Sequence, residues 1–175
     1  MRSMTYAGIG SRNTPEPVLA LMQRCATRLE ALGYTLRSGG ANGADSSFEA
    51  GCTRKEIYLP WPGFNGRQSE FQAVCDKALT LAATIHPRWD RFGRAARNLM
   101  GRNCYQVLGR GLSSPVDFVL CWTPDGVEDE QSRTQATGGT GQAIALASRH
   151  GIPVFNLARG DALVRLRGFL EISPQ

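Results

Sequence analysis

Two glycine-rich turns, almost a hundred residues apart, have the composition of phosphate-binding loops. The first is residues 38–45 (SGGANGAD), and the second is residues 137–142 (TGGTGQ). Glycine lets the backbone approach a ligand closely and direct its N–H groups at it. Each turn precedes a predicted helix, whose N-terminus adds partial positive charge. With a third loop at residues 8–12 (GIGSR), the turns predict one nucleotide-sized ligand.

The glycine spacing argues against two common nucleotide-binding classes. Neither turn matches the GxGxxG pattern of Rossmann dehydrogenases or the GxxxxGK[ST] loop of ATPases. Lysine occurs only at Lys55 and Lys77, so neither turn is directly followed by the lysine of an ATPase loop. The turns therefore predict a phosphate site of another kind.

Alternating strand and helix patterns predict a single α/β domain over residues 1–175, with a mainly parallel, doubly wound sheet and helices on both faces. Helix 1 is predicted to start with Thr14 as N-cap and Pro15 as its first residue. The predicted strands are 4–9, 34–37, 57–59, 116–122 (the most apolar, expected to be central) and 152–156. The further helices are predicted at 45–54, 68–81, 91–108, 142–149 and 161–169.

Ligands of doubly wound sheets bind outside the carboxyl ends of the strands, where the glycine loops are expected to meet. An anion is expected at the backbone N–H groups of Gly139, Thr140 and Gly141. Trp61, Phe64 and Trp122 lie near the same edge, either to stack on a base or to fill the core. The candidate ligand-binding residues are Gly8, Ser11, Arg12, Gly39, Gly40, Asn42, Arg97, Gly138, Gly139, Thr140 and Gly141.

Four segments, GIGSR, SGGANGAD, Arg97-Asn98-Leu99-Met100 and GGTGQAIALA, resemble the SLOG superfamily of Rossmann-like proteins. This group includes DprA/Smf and the LONELY GUY (LOG) phosphoribohydrolases, and the resemblance covers roughly residues 6–156. Residues 39–45 are similar to the DprA pattern GGARG(I/A)D, with Asn42 in place of arginine. Residues 138–141 are similar to the LOG pattern PGGxGTxxE. The resemblance implies binding of a nucleotide, a nucleotide-derived molecule or nucleic acid, and a homo-oligomer.

The sequence departs from the LOG pattern at the catalytic residue. Its pattern implies a catalytic glutamate where this chain has Ala145. Hydrolysis of an N-glycosidic bond normally needs a carboxylate. The candidates near the predicted site are Asp45, Glu49 and the acidic residues 128–130. Asp45 has a second interpretation, because an aspartate after a glycine turn often caps the following helix or holds a backbone loop.

The net charge of +5 comes mainly from arginine, which suits phosphate, although the excess also serves solubility. Arg97 falls where LOG enzymes carry the arginine of their ERKxxM helix, which implies a phosphate or ribose contact. Its alternative is a solvated face of a basic helix. The neighbouring arginines are expected at the surface: Arg88, Arg91, Arg94 and Arg102.

The remaining composition predicts a cytoplasmic protein without cofactor, metal or membrane segment. Five cysteines without a CxxC pair are not typical of a disulfide framework. The two histidines, His86 and His150, lack the spacing of metal ligands. No signal-peptide pattern and no apolar run of about 20 residues is found.

Three functions follow from these features. The first is binding of a nucleotide or nucleotide-derived small molecule, with hydrolysis of its N-glycosidic bond as an added activity. The second is DprA-like binding of single-stranded DNA, which needs a basic groove with aromatic platforms. The third is a non-catalytic sponge or sensor for a nucleotide signal. Base release, salt-sensitive DNA binding and tight binding without turnover would distinguish them.

Overall fold

The computed structural model describes residues 2–172, which form an α/β fold with an all-parallel sheet. The strands are β1 (Thr5–Gly8), β2 (Thr35–Ser38), β3 (Lys55–Ile57), β4 (Phe118–Cys121) and β5 (Val154–Asn156). Their order is β3-β2-β1-β4-β5. The predicted parallel sheet is confirmed. The apolar segment 116–122 supplies β4, an interior strand between β1 and β5, while β1 occupies the middle.

Helices cover both faces of the sheet, as predicted. They are α1 (Glu16–Ala31), α2 (Ala44–Ala50), α3 (Asp76–Ile85), α4 (Arg94–Leu108), α5 (Thr140–Arg149) and α6 (Ala162–Ile172). Successive strand residues face opposite sides, so Tyr6 and Phe118 pack with α1, α2 and α6. Ala7 and Val119 pack with α3, α4 and α5. All four of these strand side chains are buried, as expected for a parallel sheet covered on both faces.

Several predicted helix starts differ from the structure, and for α1 and α3 the contacts show why. Helix α1 begins at Glu16 with Pro15 as its N-cap, because the Thr14 hydroxyl donates to the Ser11 carbonyl over 2.6 Å instead of capping the helix. Helix α3 begins only at Asp76 rather than at residue 68. Residues before it run along the edge of the sheet, where Phe71 forms a parallel bridge with Tyr58. Backbone pairing there replaces the predicted helical turns.

The sheet has its topological switch point between β1 and β4. The chain leaves β1 toward β2 on one side of the sheet, whereas β4 and β5 lie on the other side. Connections that diverge in this way leave a crevice at the carboxyl ends of the two strands. The loop after β1 is held there, since the Ser11 N–H donates to the Trp122 carbonyl over 3.1 Å.

Candidate functional site

A cavity of about 460 Å³ lies in this crevice, a volume typical of small-molecule sites. We call it the strand-end cavity. Both glycine turns contribute to its wall, and the predicted site residues that line it are Ser11, Arg12, Asp45, Gly138, Gly139 and Thr140. The structure therefore brings the loop after β1, the start of α2 and the start of α5 to one place.

The other predicted residues of the glycine loops do not line the strand-end cavity. A Cβ at Gly8 would come within 2.7 Å of the Leu36 and Phe48 side chains, so this glycine permits close packing of β1 against α2. Gly40 has a φ of +68°, a backbone conformation that favours glycine. Asn42 is exposed, and the Gly141 N–H donates to the Gly138 carbonyl over 3.1 Å. Their ligand-binding roles stay predictions.

Arg102 forms part of the cavity wall and is only 6% exposed, so the prediction of a surface residue is wrong. Its Nη1 donates to the Gly39 carbonyl in the first turn and, over 3.3 Å, to the Tyr58 carbonyl. A Cβ at Gly39 would lie 2.6 Å from this nitrogen. Glycine at this position therefore lets α4 approach the first turn.

Asn103, the next residue of α4, reaches the other turn. Its Nδ2 donates to the Gly139 carbonyl over 3.1 Å, and its Oδ1 accepts from Arg102 Nε over 3.0 Å. Gln106 lines the same cavity one helical turn later. None of these three polar side chains was predicted as a site residue.

Asp45 is 4% exposed and lies in the first turn of α2, facing the strand-end cavity. Its Oδ2 accepts from the Ala41 N–H over 3.1 Å, so it holds the first glycine turn, while the N-cap of α2 is Gly43. Burial raises the pKa of Asp45 to about 6, against the opposing effect of the Arg102 guanidinium. A carboxyl group titrating in this range can exchange a proton near neutral pH.

The other candidate carboxylates point elsewhere. Glu49 is buried in an ion pair with Arg67, and Lys55 Nζ lies 3.9 Å away. Glu128 accepts from the Asn156 N–H and from Arg165. Asp129 accepts from Ser132, and Glu130 from Arg149. Ala145, where the sequence resemblance implies the LOG glutamate, is fully buried in the core. Within residues 2–172, Asp45 is the one carboxylate that lines the strand-end cavity.

The second glycine turn follows a long loop after β4 rather than a strand directly. Asp125 anchors this loop by accepting hydrogen bonds from the hydroxyls of Thr123, Thr134 and Thr137. Burial alone would raise the pKa of Asp125, but these hydroxyls together lower it. The charged carboxylate therefore fixes the chain immediately before Gly138.

Arg97 lies outside the cavity. Its guanidinium stacks on the Trp89 ring at 5.3 Å and donates to the Trp89 carbonyl over 3.3 Å. Phe64 is buried against Trp61, and Trp122 packs on the core that faces α1. None of these predicted ligand contacts lines the strand-end cavity. The ligand contact of Arg97 stays a prediction.

A second cavity of about 650 Å³, here called the side cavity, adjoins the first. The two share Met100, Gly138 and Gly139 in their walls. Side chains that line the side cavity include His86, Arg88, Phe92 and Arg133. This cavity has no signature in the sequence, because its walls come from three separate loop and helix segments.

The described part of the chain, residues 2–172, holds no group of histidine, cysteine and carboxylate side chains arranged for a metal ion. No helix in that part is both long enough and apolar enough to cross a bilayer.

Comparison with solved structures finds a fold similar to that of DNA processing protein A from Helicobacter pylori, a protein described for its unique single-stranded DNA binding mode. The TM-score is 0.54 at 17% sequence identity, and the match covers 96% of this chain and 74% of that one. The predicted DprA-like, Rossmann-like fold is thereby confirmed. No protein-family model and no curated protein sequence matches the chain.

Proposed function

We propose that this protein binds single-stranded DNA, with one nucleotide of the strand in the strand-end cavity. The observation that carries the proposal is a set of arginines without acidic partners around the two joined cavities. Arg12, Arg88 and Arg133 line the cavities, and none forms an ion pair within residues 2–172. Of the arginines away from the cavities, Arg37 and Arg165 are paired with glutamates, whereas Arg24 and Arg94 are exposed and form no ion pair within residues 2–172. The cavity arginines are therefore distinguished by their position and not by the lack of a partner alone.

Unpaired guanidinium groups along a concave surface suit a chain of phosphates. Each phosphate contact releases counterions, which makes nucleic-acid binding sensitive to salt. Within the strand-end cavity, the N–H groups of Gly139 and Thr140 at the start of α5 are the proposed phosphate donors, aided by the helix dipole. Arg12 is exposed at the entrance of this cavity, where a backbone phosphate entering it would pass.

The fold similarity favours a DNA strand over a free nucleotide. The H. pylori protein of similar fold binds single-stranded DNA, according to its description. In the present chain, the cavity does not end at the second glycine turn but meets the side cavity across Gly138 and Gly139. A groove that continues past one nucleotide is what a polymeric ligand requires.

A second candidate function is binding of a free nucleotide or nucleotide-derived molecule. The volume of about 460 Å³ favours it, because a cavity of this size encloses one small ligand. In this alternative, Asp45 is the carboxylate for hydrolysis of the N-glycosidic bond, and without turnover the protein acts as a sponge or sensor.

The test is fluorescence anisotropy with a labelled single-stranded oligothymidylate of about 20 nucleotides, longer than the usual site sizes of about 4–16. A duplex of the same length and thymidylate mononucleotide serve as competitors. Arg12→Gln should weaken binding and reduce the slope of log K against log salt by about 0.7. Arg24→Gln is the matched control, because Arg24 is exposed on α1, on the opposite face of the sheet from α4.

Salt-sensitive binding of the single strand that duplex DNA does not displace would support the proposal. Binding of the mononucleotide without binding of the oligonucleotide would favour the second candidate. Equal effects of Arg12→Gln and Arg24→Gln would show that binding is unrelated to the strand-end cavity.

A further inference from the structure

The side cavity adjoins the strand-end cavity at the second glycine turn. Gly138 and Gly139 line both spaces, as does Met100 of α4. A DNA strand that crosses Gly139 would therefore lead from one cavity directly into the other.

The side cavity is lined by the charged side chains of Arg88, Glu130 and Arg133, and of the two arginines Arg133 is the less exposed. Its side chain is half-buried, and within residues 2–172 its guanidinium forms no hydrogen bond or ion pair. The neighbouring Glu130 carboxylate is held by Arg149 through bonds of 2.7 and 2.9 Å. A partly desolvated guanidinium without a partner is costly. An anion in the side cavity would supply the missing hydrogen-bond acceptor.

A second part of the side-cavity lining is aromatic and apolar. The rings of His86 and Phe92 lie 4.3 Å apart at an interplanar angle of 51°, beside Ile85 and Met100. Burial, together with the nearby Arg133 and Arg88 guanidinium groups, lowers the pKa of His86 and so favours its neutral ring. Aromatic rings of this kind stack on nucleobases without regard to their sequence.

We propose that the side cavity is a second nucleotide subsite, in which Arg133 binds the next phosphate of the strand and Phe92 stacks on the adjoining base. The subsite rests on the proposed function, because it extends the strand that the first cavity holds. Its 650 Å³ is ample for one base with its sugar and phosphate.

The test compares two ligands by titration calorimetry: thymidylate mononucleotide and the dinucleotide pTpT. The dinucleotide should bind the wild-type protein about tenfold more tightly, since one stacked base and one phosphate are added. Arg133→Gln and Phe92→Leu should each remove most of this gain, and should weaken mononucleotide binding by a clearly smaller factor than pTpT binding. Arg94→Gln is the matched control, because Arg94 is exposed at the start of α4 and lines neither cavity.

The outcomes separate the two proposals. Equal affinities of the wild type for mononucleotide and dinucleotide would overturn the subsite while leaving the proposed function standing. A loss of mononucleotide affinity in Arg133→Gln equal to the loss for pTpT would also overturn it, because Arg133 would then act through the second glycine turn. No binding of either ligand or of the longer oligothymidylate would refute both.

Discussion

Arg102 donates from its Nε to Oδ1 of the adjacent Asn103 over 3.0 Å, and through this pair α4 joins the two glycine turns. Arg102 binds the carbonyl of Gly39, and Asn103 binds the carbonyl of Gly139. The turns are almost a hundred residues apart in the chain, yet their separation in space is set by two consecutive side chains on one helix. Helix α4 is thus the element that fixes the width of the strand-end cavity.

Asn103→Ala should loosen the second glycine turn. The substitution removes the bond to Gly139 and the acceptor for Arg102, so the free energy of unfolding should fall by about 1–3 kcal/mol. Amide hydrogen exchange at residues 138–141 should become faster, and single-stranded DNA should bind more weakly. Urea denaturation and hydrogen exchange measure the two effects. Asn98→Ala on the same helix is the control, and an equal acceleration of exchange in it would contradict the assignment.

Gly139→Val should block ligand binding without unfolding the protein. Gly139 has a φ of −63°, which every residue adopts, and an added Cβ would make ordinary contact with Met100 Cε at 3.5 Å. The valine methyl groups would then narrow both cavities, since Gly139 lines each of them. We expect affinity for single-stranded DNA to fall at least about tenfold, a loss of about 1.4 kcal/mol. Gly139→Ala is the control, because it removes the backbone freedom of glycine but adds only a Cβ, so it separates that effect from the bulk of the valine methyl groups.

A melting temperature that stays within a few degrees of wild type would show that Gly139→Val folds normally. If that folded variant kept full affinity in a calorimetric titration, the ligand could not lie against Gly139.

The fold and the position of the glycine turns followed from the sequence because both depend on local patterns. Strand and helix periodicities alternate, and Gly40 marks a turn that requires positive φ. Parallel strands then place the turns at one end of the sheet, without any knowledge of side-chain contacts. This is why the sequence pattern correctly predicted that residues 11–12 and 138–140 lie near one another, and in the structure they line the same cavity.

Arg102 and the side cavity depend on tertiary contacts that local patterns do not contain. Among several nearby arginines, Arg102 differs only in lying on the half of α4 where residues 101–108 are buried on all sides. One signal was present in the sequence: Arg102 and Gln106 are four apart, so they share a helix face. The side cavity gave no such signal, because His86 and Arg133 are distant in the chain and meet only in the folded protein.

The stability of the protein should depend on pH through Asp45. Burial raises the pKa of this carboxyl to about 6, so the folded state keeps a proton that the unfolded chain has already lost above about pH 4. The contribution of Asp45 to stability is therefore complete below about pH 4 and is lost as pH rises through about 6. Compared with Asp45→Asn, the wild type should lose on the order of 1 kcal/mol between about pH 5 and pH 7.

Denaturation curves of both proteins at several pH values measure this difference, and titrations of His86 cancel in the comparison. Carboxyl groups with a lowered pKa, such as Asp125, titrate below this window. A constant difference between wild type and Asp45→Asn over the whole range would show that Asp45 has an ordinary pKa. Affinity for DNA should decline over the same pH range, since an ionised Asp45 repels phosphate.

Nucleoside monophosphates should not be cleaved by the wild-type protein. Ala145, where the resemblance to LOG enzymes implies a glutamate, is buried in the core, and Glu49 is bound to Arg67 outside the strand-end cavity. Asp45 does line the cavity, but one of its oxygens is engaged by the Ala41 N–H. A positioned carboxylate contributes about 10²–10⁴-fold to proton transfer, so its loss leaves binding without turnover.

Chromatographic detection of free base, after incubation with ribo- and deoxyribonucleoside monophosphates, decides between binding and hydrolysis. We expect unchanged nucleotide with the wild type, Asp45→Asn and Glu49→Gln alike. Base released by the wild type and by Glu49→Gln, but not by Asp45→Asn, would instead identify an N-glycosidase that uses Asp45. In that case the rate of base release should change with pH near the Asp45 pKa of about 6, because the reaction would depend on the ionisation of this carboxyl group.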